Sequence, residues 1–108
     1  MRVNYRCSNP DCRVPTLSPT DNPMGANNIG KAAHIMAAAR GGPRFDHKMT
    51  PAERRSIANG IWLCSNHADA IDKDPSRFTA KLLRLWKTQA EQEAREEQPD
   101  RAGRRAKL

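Results

Sequence analysis

At 108 residues and 12.1 kDa the chain has the length of one domain, which argues against a two-domain arrangement. Hydrophobic residues make up 37%, but 15 Ala and three Cys leave only 22 larger apolar side chains, so any core is thin. The chain carries +7 at a pI near 9.9 and a mean hydropathy of −0.86. It has neither an 18-residue apolar run nor an apolar stretch after Met1, which excludes a membrane-spanning helix and sets the expected location as cytoplasmic.

The first 28 residues hold Pro10, Pro15, Pro19, Pro23 and Gly25 among Asn, Ser and Thr, a composition that breaks both helices and ladders. They are expected to be loop, with a knuckle from Cys7 to Cys12. Residues 29–35 suit a short strand, with helix a competitor because of the Ala content. The run Arg40-Gly41-Gly42-Pro43-Arg44 reads as a turn. Thr50 as N-cap, Pro51 in the first turn and Glu53 three residues after the cap form a capping box, which predicts a helix over 51–58. After the turn signal Asn59-Gly60, the apolar run 61–64 predicts a second strand, antiparallel to the first. Residues 66–73 read as helix. Asp74 and Pro75 repeat the cap-and-proline pattern, and Phe78, Leu82, Leu85 with Leu83, Trp86, Ala90 recur at helical spacing. A long amphipathic helix is therefore expected over 75–95. Residues 96–108 are charged, contain Pro99 and Gly103, and are expected to form a disordered basic tail after a domain spanning 1–95.

The cysteines point to a metal. Cys7 and Cys12 form one turn-rich pair; Cys64 and His67 form a second at two-residue spacing. Two such pairs aim four soft ligands at one tetrahedral zinc ion and staple distant parts of a small fold. The alternative is that Cys64 is a buried strand residue and His67 a surface imidazole. An odd count of three cysteines in a cytoplasmic chain favours metal or free thiols over disulfides. The positive charge suits a polyanion, because Lys and Arg displace the counterions condensed on phosphate. Arg40, Arg44 and Lys48 beside the glycine turn are candidate phosphate contacts, as are Arg101, Arg104, Arg105 and Lys107 in the tail. An ordinary soluble surface is the alternative.

With His67 assigned to zinc, His34 and His47 remain. Two stretches, AAHIMAAARGGPRFD at 32–46 and NGIWLCSNHADAID at 59–72, resemble the HNH endonucleases, the ββα-metal nucleases, and look especially close to a subgroup among anti-phage effectors and phage proteins. The resemblance covers residues 5–90. It implies a small zinc-stapled α+β domain of the ββα-metal type, with an N-terminal knuckle and a long C-terminal amphipathic helix. It implies a DNA endonuclease in which His34 is the general base that activates water. Asn59 would hold the loop and orient the base, and Asp72 would bind a catalytic divalent ion such as Mg²⁺ or Mn²⁺.

Two positions depart from the family pattern. Where many members carry Asp or His before the base, this chain has Ala33; where many carry His or Asn after the last zinc ligand, it has Ala68. Asp46, His47 and Asp69 are candidate substitutes for the missing metal ligands. Two further readings follow. One is a zinc-stapled nucleic-acid-binding module without cleavage. The other is a nuclease module that acts only with an oligomeric or sensor partner, for which the long helix with Phe78, Leu82, Leu85 and Trp86 would supply a face.

Overall fold

The apolar run after Gly60 builds the centre of the molecule. In the computed structural model, which describes residues 2–22 and 24–97, the chain runs β1 (Leu17–Pro19), β2 (Ala26–Asn28), β3 (Gly30–His34), α1 (Pro51–Arg55), β4 (Gly60–Cys64), α2 (Ser65–Lys73) and α3 (Ala80–Glu97). It is an α+β arrangement with two small sheets. β3 and β4 pair antiparallel, with Ala33 opposite Ile61 and Lys31 opposite Leu63 on one face, and Ala32 opposite Trp62 on the other. Because side chains alternate across a strand, Ile61 and Leu63 go inward while Trp62 is half-buried. The core joins these two residues to Ile35, Ala68 and Ile71 of the following segments and to Leu83 and Trp86 of α3.

Both strands of this pair and the helix that follows lie where the sequence pattern predicts them. The first 28 residues do not, since an exposed two-stranded ribbon forms within the expected loop, pairing Leu17 with Asn28 and Pro19 with Ala26. A proline is tolerated there because it ends a short strand that has no second neighbour to bond. The loop packs on the other face of the β3–β4 pair. Tyr5 meets Trp62 edge-on at 6.0 Å, and the Trp62 indole N–H donates to Thr16 Oγ1 at 3.0 Å. Gly30 permits this packing, since a Cβ there would stand 2.2 Å from the indole ring.

The capping box at Thr50 forms in full, with Glu53 N donating to Thr50 Oγ1 and Thr50 N donating to the Glu53 carboxylate. The helix ends at Arg55, earlier than its pattern suggests. Ser56 turns extended and its hydroxyl donates to Glu53 O, so a separate 3₁₀ turn at Ile57–Asn59 completes the segment. The long helix also starts later than the Asp74-Pro75 signal predicts. Asp74 instead caps the end of α2, its carbonyl accepting from Arg77 and Phe78, and Thr79 takes the N-cap of α3 with Oγ1 accepting from Leu82 N. The stripe Leu83, Trp86, Ala90 and Ala94 closes the domain's own core, whereas Leu85 is 52% exposed.

The N-terminal loop is bound to α3 by charge. Arg2 pairs with Glu91 at 2.9 Å, Arg13 with Glu93 at 2.7 Å and Arg6 with Glu97 at 3.6 Å. Glu96 and Glu97 belong to α3 and not to a tail; the remainder of the expected tail, 98–108 with its four basic residues, lies outside the described residues. Among the described residues, no helix is long and apolar enough to cross a membrane.

Candidate functional site

Two neighbouring features flank α2, a cysteine–histidine cluster at its start and a cleft along its side. The cluster is assembled by turns. The Asn9 carbonyl accepts from the backbone N–H of Cys12 and of Arg13, and its side chain accepts from Asp11 N at 2.9 Å, so the chain between Cys7 and Cys12 folds back on itself. Ser8 N donates to Trp62 O at 2.9 Å, which ties this knuckle to β4. Cys64 ends β4 in the N-cap position of α2, and His67 follows in the first turn of that helix.

The four donor atoms of Cys7, Cys12, Cys64 and His67 all lie within 4.8 Å of one another. His67 Nδ1 stands 3.5 Å from Cys7 Sγ and 3.3 Å from Cys64 Sγ. A tetrahedral ion with metal–sulfur bonds of about 2.3 Å and metal–nitrogen bonds of about 2.0 Å spaces such atoms by about 3.5 Å. The four side chains are therefore close enough to hold a metal ion, and all three cysteines are free of disulfides. Burial pushes the Cys7 thiol up to about 12, with the neighbouring Cys64 and Cys12 adding to the rise. A divalent cation reverses that balance by binding the thiolate.

The cleft, with a volume of about 460 Å³, opens between β3, the loop that follows it and α2. Lys31, His34, Asp69 and Asp72 line it, together with Ala33 and Ala68. His34 is the exposed last residue of β3. Asp69 pairs with Lys31 at 3.6 Å, and Asp72 pairs with Arg44 at 3.4 Å. Asp46 lines a separate cavity with Phe45 and Pro75, and neither it nor His47 reaches the cleft. Among the described residues, the cysteine–histidine cluster is the one group of three or more side chains close enough to share an ion. Asp69 and Asp72 are the carboxylates of the cleft, each paired with a basic side chain, and alanines occupy positions 33 and 68; among the described residues no group of three or more ligands gathers there.

Asn59 is buried and fully used. Its Nδ2 donates to Met36 O at 2.8 Å and to Arg54 O at 3.0 Å, and its Oδ1 accepts from Met36 N at 2.9 Å. Its carbonyl accepts from Ile35 N at 2.8 Å. These bonds hold the two residues after His34 and none goes to the His34 ring. Asn59 is a buried anchor of that loop as well as the residue before β4.

Arg44 corrects an expectation. A phosphate contact must be free to reach outward, but the Arg44 side chain is 6% exposed. A guanidinium has five N–H donors, and each reaches an acceptor. Nε donates to Ile35 O at 2.6 Å; Nη1 donates to Ile71 O at 2.7 Å and Phe78 O at 3.2 Å; Nη2 donates to His34 O and to Asp72 Oδ1, both at 3.4 Å. Its φ of 59° lies in the left-handed region, uncommon for a residue other than glycine. Arg40 and Lys48 are exposed and, among the described residues, have no ion-pair partner. Sequence reasoning missed the inward role of Arg44, and the only local hint is the Gly41-Gly42-Pro43 turn that folds the residue back over β3.

Compared with protein-family models and with curated proteins, the chain finds no match in either.

Proposed function

We propose that the chain is a zinc-stapled endonuclease of the HNH type that hydrolyses DNA phosphodiester bonds in the cytoplasm, with His34 as general base. The observation that carries this reading is one cleft in which His34, at the end of an antiparallel strand pair, shares a wall with Asp72 of the helix packed beside that pair. The quoted resemblance of residues 32–46 and 59–72 leads to the same two side chains. Cys7, Cys12, Cys64 and His67 would hold the zinc, whose role is to pin the N-terminal knuckle to β4 and α2.

In the reaction, His34 takes a proton from water, the resulting hydroxide attacks phosphorus, and the bond to the leaving sugar oxygen breaks. That oxygen takes its proton from solvent. Exposure of His34 gives water and a phosphate free access to the imidazole. Arg40 and Lys48, both exposed, would meet backbone phosphates.

Metal-loaded protein incubated with supercoiled plasmid, with Mg²⁺, with Mn²⁺ and without either, tests the reading. Nicking by the wild type that His34→Ala abolishes is the expected result. Absence of nicking under every condition, or equal nicking by His34→Ala, overturns it. A second reading, a nucleic-acid-binding module without cleavage, is favoured by one observation: alanines at 33 and 68 line the cleft and the Asp72 carboxylate is engaged by Arg44. It predicts plasmid binding without nicking.

A further inference from the structure

Arg44 joins His34, the proposed base, to Asp72 across the cleft that they line. One nitrogen, Nη2, contacts both the His34 carbonyl and the Asp72 carboxylate. The other two nitrogens hold Ile35, the residue after His34, and Ile71, the residue before Asp72. A third segment, the turn before α3, is bound through Phe78 O. Asn59 also holds Ile35 and Met36 through their backbone groups. The end of β3 is therefore held by both side chains, and among the described residues Arg44 also holds α2 beside Asp72.

We propose that Arg44 is the positioning residue of the cleft, setting the placement of Asp72 relative to His34 through its five-donor guanidinium. The inference rests on the reading of the cleft lined by His34 and Asp72 as the working site. Arg44 touches no substrate; it acts through the backbone of β3 and α2. Lysine retains the positive charge but offers three donors from a single point, so it cannot span the His34, Ile35, Ile71, Phe78 and Asp72 acceptors together. Charge alone and fork geometry thus make different forecasts for Arg44→Lys.

The test uses the full chain loaded with zinc and compares wild type, Arg44→Lys and Arg44→Gln. Two readouts are taken, single-site nicking kinetics and the NMR signals of the His34 ring and the Asp72 backbone amide, with the His67 ring as an internal control at the far end of α2. In Arg44→Lys, kcat is expected to fall by roughly 10²-fold, the cost of a misplacement of about 1 Å, with KM within twofold. The His34 and Asp72 signals are expected to move while those of His67 stay. A rise in KM at unchanged kcat makes Arg44 a phosphate contact and overturns the proposal, as does full activity in Arg44→Lys. Should the wild type prove unable to nick, the endonuclease reading fails by itself. The NMR comparison then decides: joint movement of the His34 and Asp72 signals sustains the positioning role, and their constancy overturns it. Arg44→Gln, which keeps two donors and loses the charge, supplies a second folded variant for the same NMR comparison should Arg44→Lys fail to fold.

Discussion

Replacing Asn59 with alanine removes three side-chain hydrogen bonds at once, leaving Met36 N–H, Met36 O and Arg54 O without partners. A net hydrogen bond contributes about 1 kcal/mol, and a buried group left unpaired costs about 1–3 kcal/mol. Met36 and Arg54 are only half-buried, so water can reach part of what is exposed and the low end of the range applies. The expected loss is about 3 kcal/mol, a large fraction of the ~5–15 kcal/mol that stabilises a typical domain. With a urea m-value of about 1–2 kcal/mol/M, the unfolding midpoint drops by roughly 1.5–3 M. Urea titration of the metal-loaded protein, followed by circular dichroism, measures it directly. The Asn59→Asp variant sharpens the test. It keeps the acceptor for Met36 N but sets a carboxylate oxygen against two carbonyls, so at neutral pH it should lose at least as much as Asn59→Ala. A loss below about 0.5 kcal/mol in Asn59→Ala, the range of an inconsequential surface substitution, would refute the reasoning that this side chain anchors the loop behind His34.

Chelation of the metal should unfold the domain, because apparent zinc-binding free energies of ~10–16 kcal/mol exceed the stability of a small domain; circular dichroism unchanged after complete metal removal would contradict it. Gly30→Ala should destabilise the fold, since the new Cβ would clash with the Trp62 indole and force it off Thr16, and a red shift of Trp emission with loss of protection from quenching is the readout, against no change if the indole has room to move. The hydrogen bond from Arg2, with help from Lys87, holds the Glu91 carboxyl down to about 2, below its usual 4.5. A depressed carboxylate contributes stability above its unfolded value that is lost as pH falls through the folded one. At neutral pH, with the metal site loaded, the wild type should therefore melt at a higher temperature than Glu91→Gln, and equal melting temperatures would count against this pairing. If the chain binds duplex DNA through six or more phosphates, affinity should fall by roughly 10³-fold or more between 50 and 200 mM salt; a flat titration would exclude a backbone-directed surface.

Local chemistry that is written in adjacent residues was legible without coordinates. The strand run at 61–64, the capping box at Thr50 and the two ligand pairs follow from spacing alone, because pleat alternation, a cap side chain and a turn each act over two to five residues. The boundaries of α1 and α3 were less legible, since hydrogen bonds of the Ser56 and Thr79 hydroxyls set them and the sequence pattern does not single out either residue. The hairpin at 17–28 was masked by its prolines, which forbid central strands but not the end of a two-stranded ribbon.

By itself the sequence determined a small basic domain with a thin core, a cysteine–histidine quartet and a histidine at the end of a strand. Only the tertiary structure decided which charges are paired within the chain and which are buried. Arg2, Arg6 and Arg13 pair with glutamates some 80 to 90 residues away, and Arg44 turns all its donors inward to Ile35, Ile71, Phe78, His34 and Asp72. An arginine's charge is evident from its identity, but whether it faces phosphate or backbone carbonyls depends on what long-range packing brings within about 3 Å of its guanidinium.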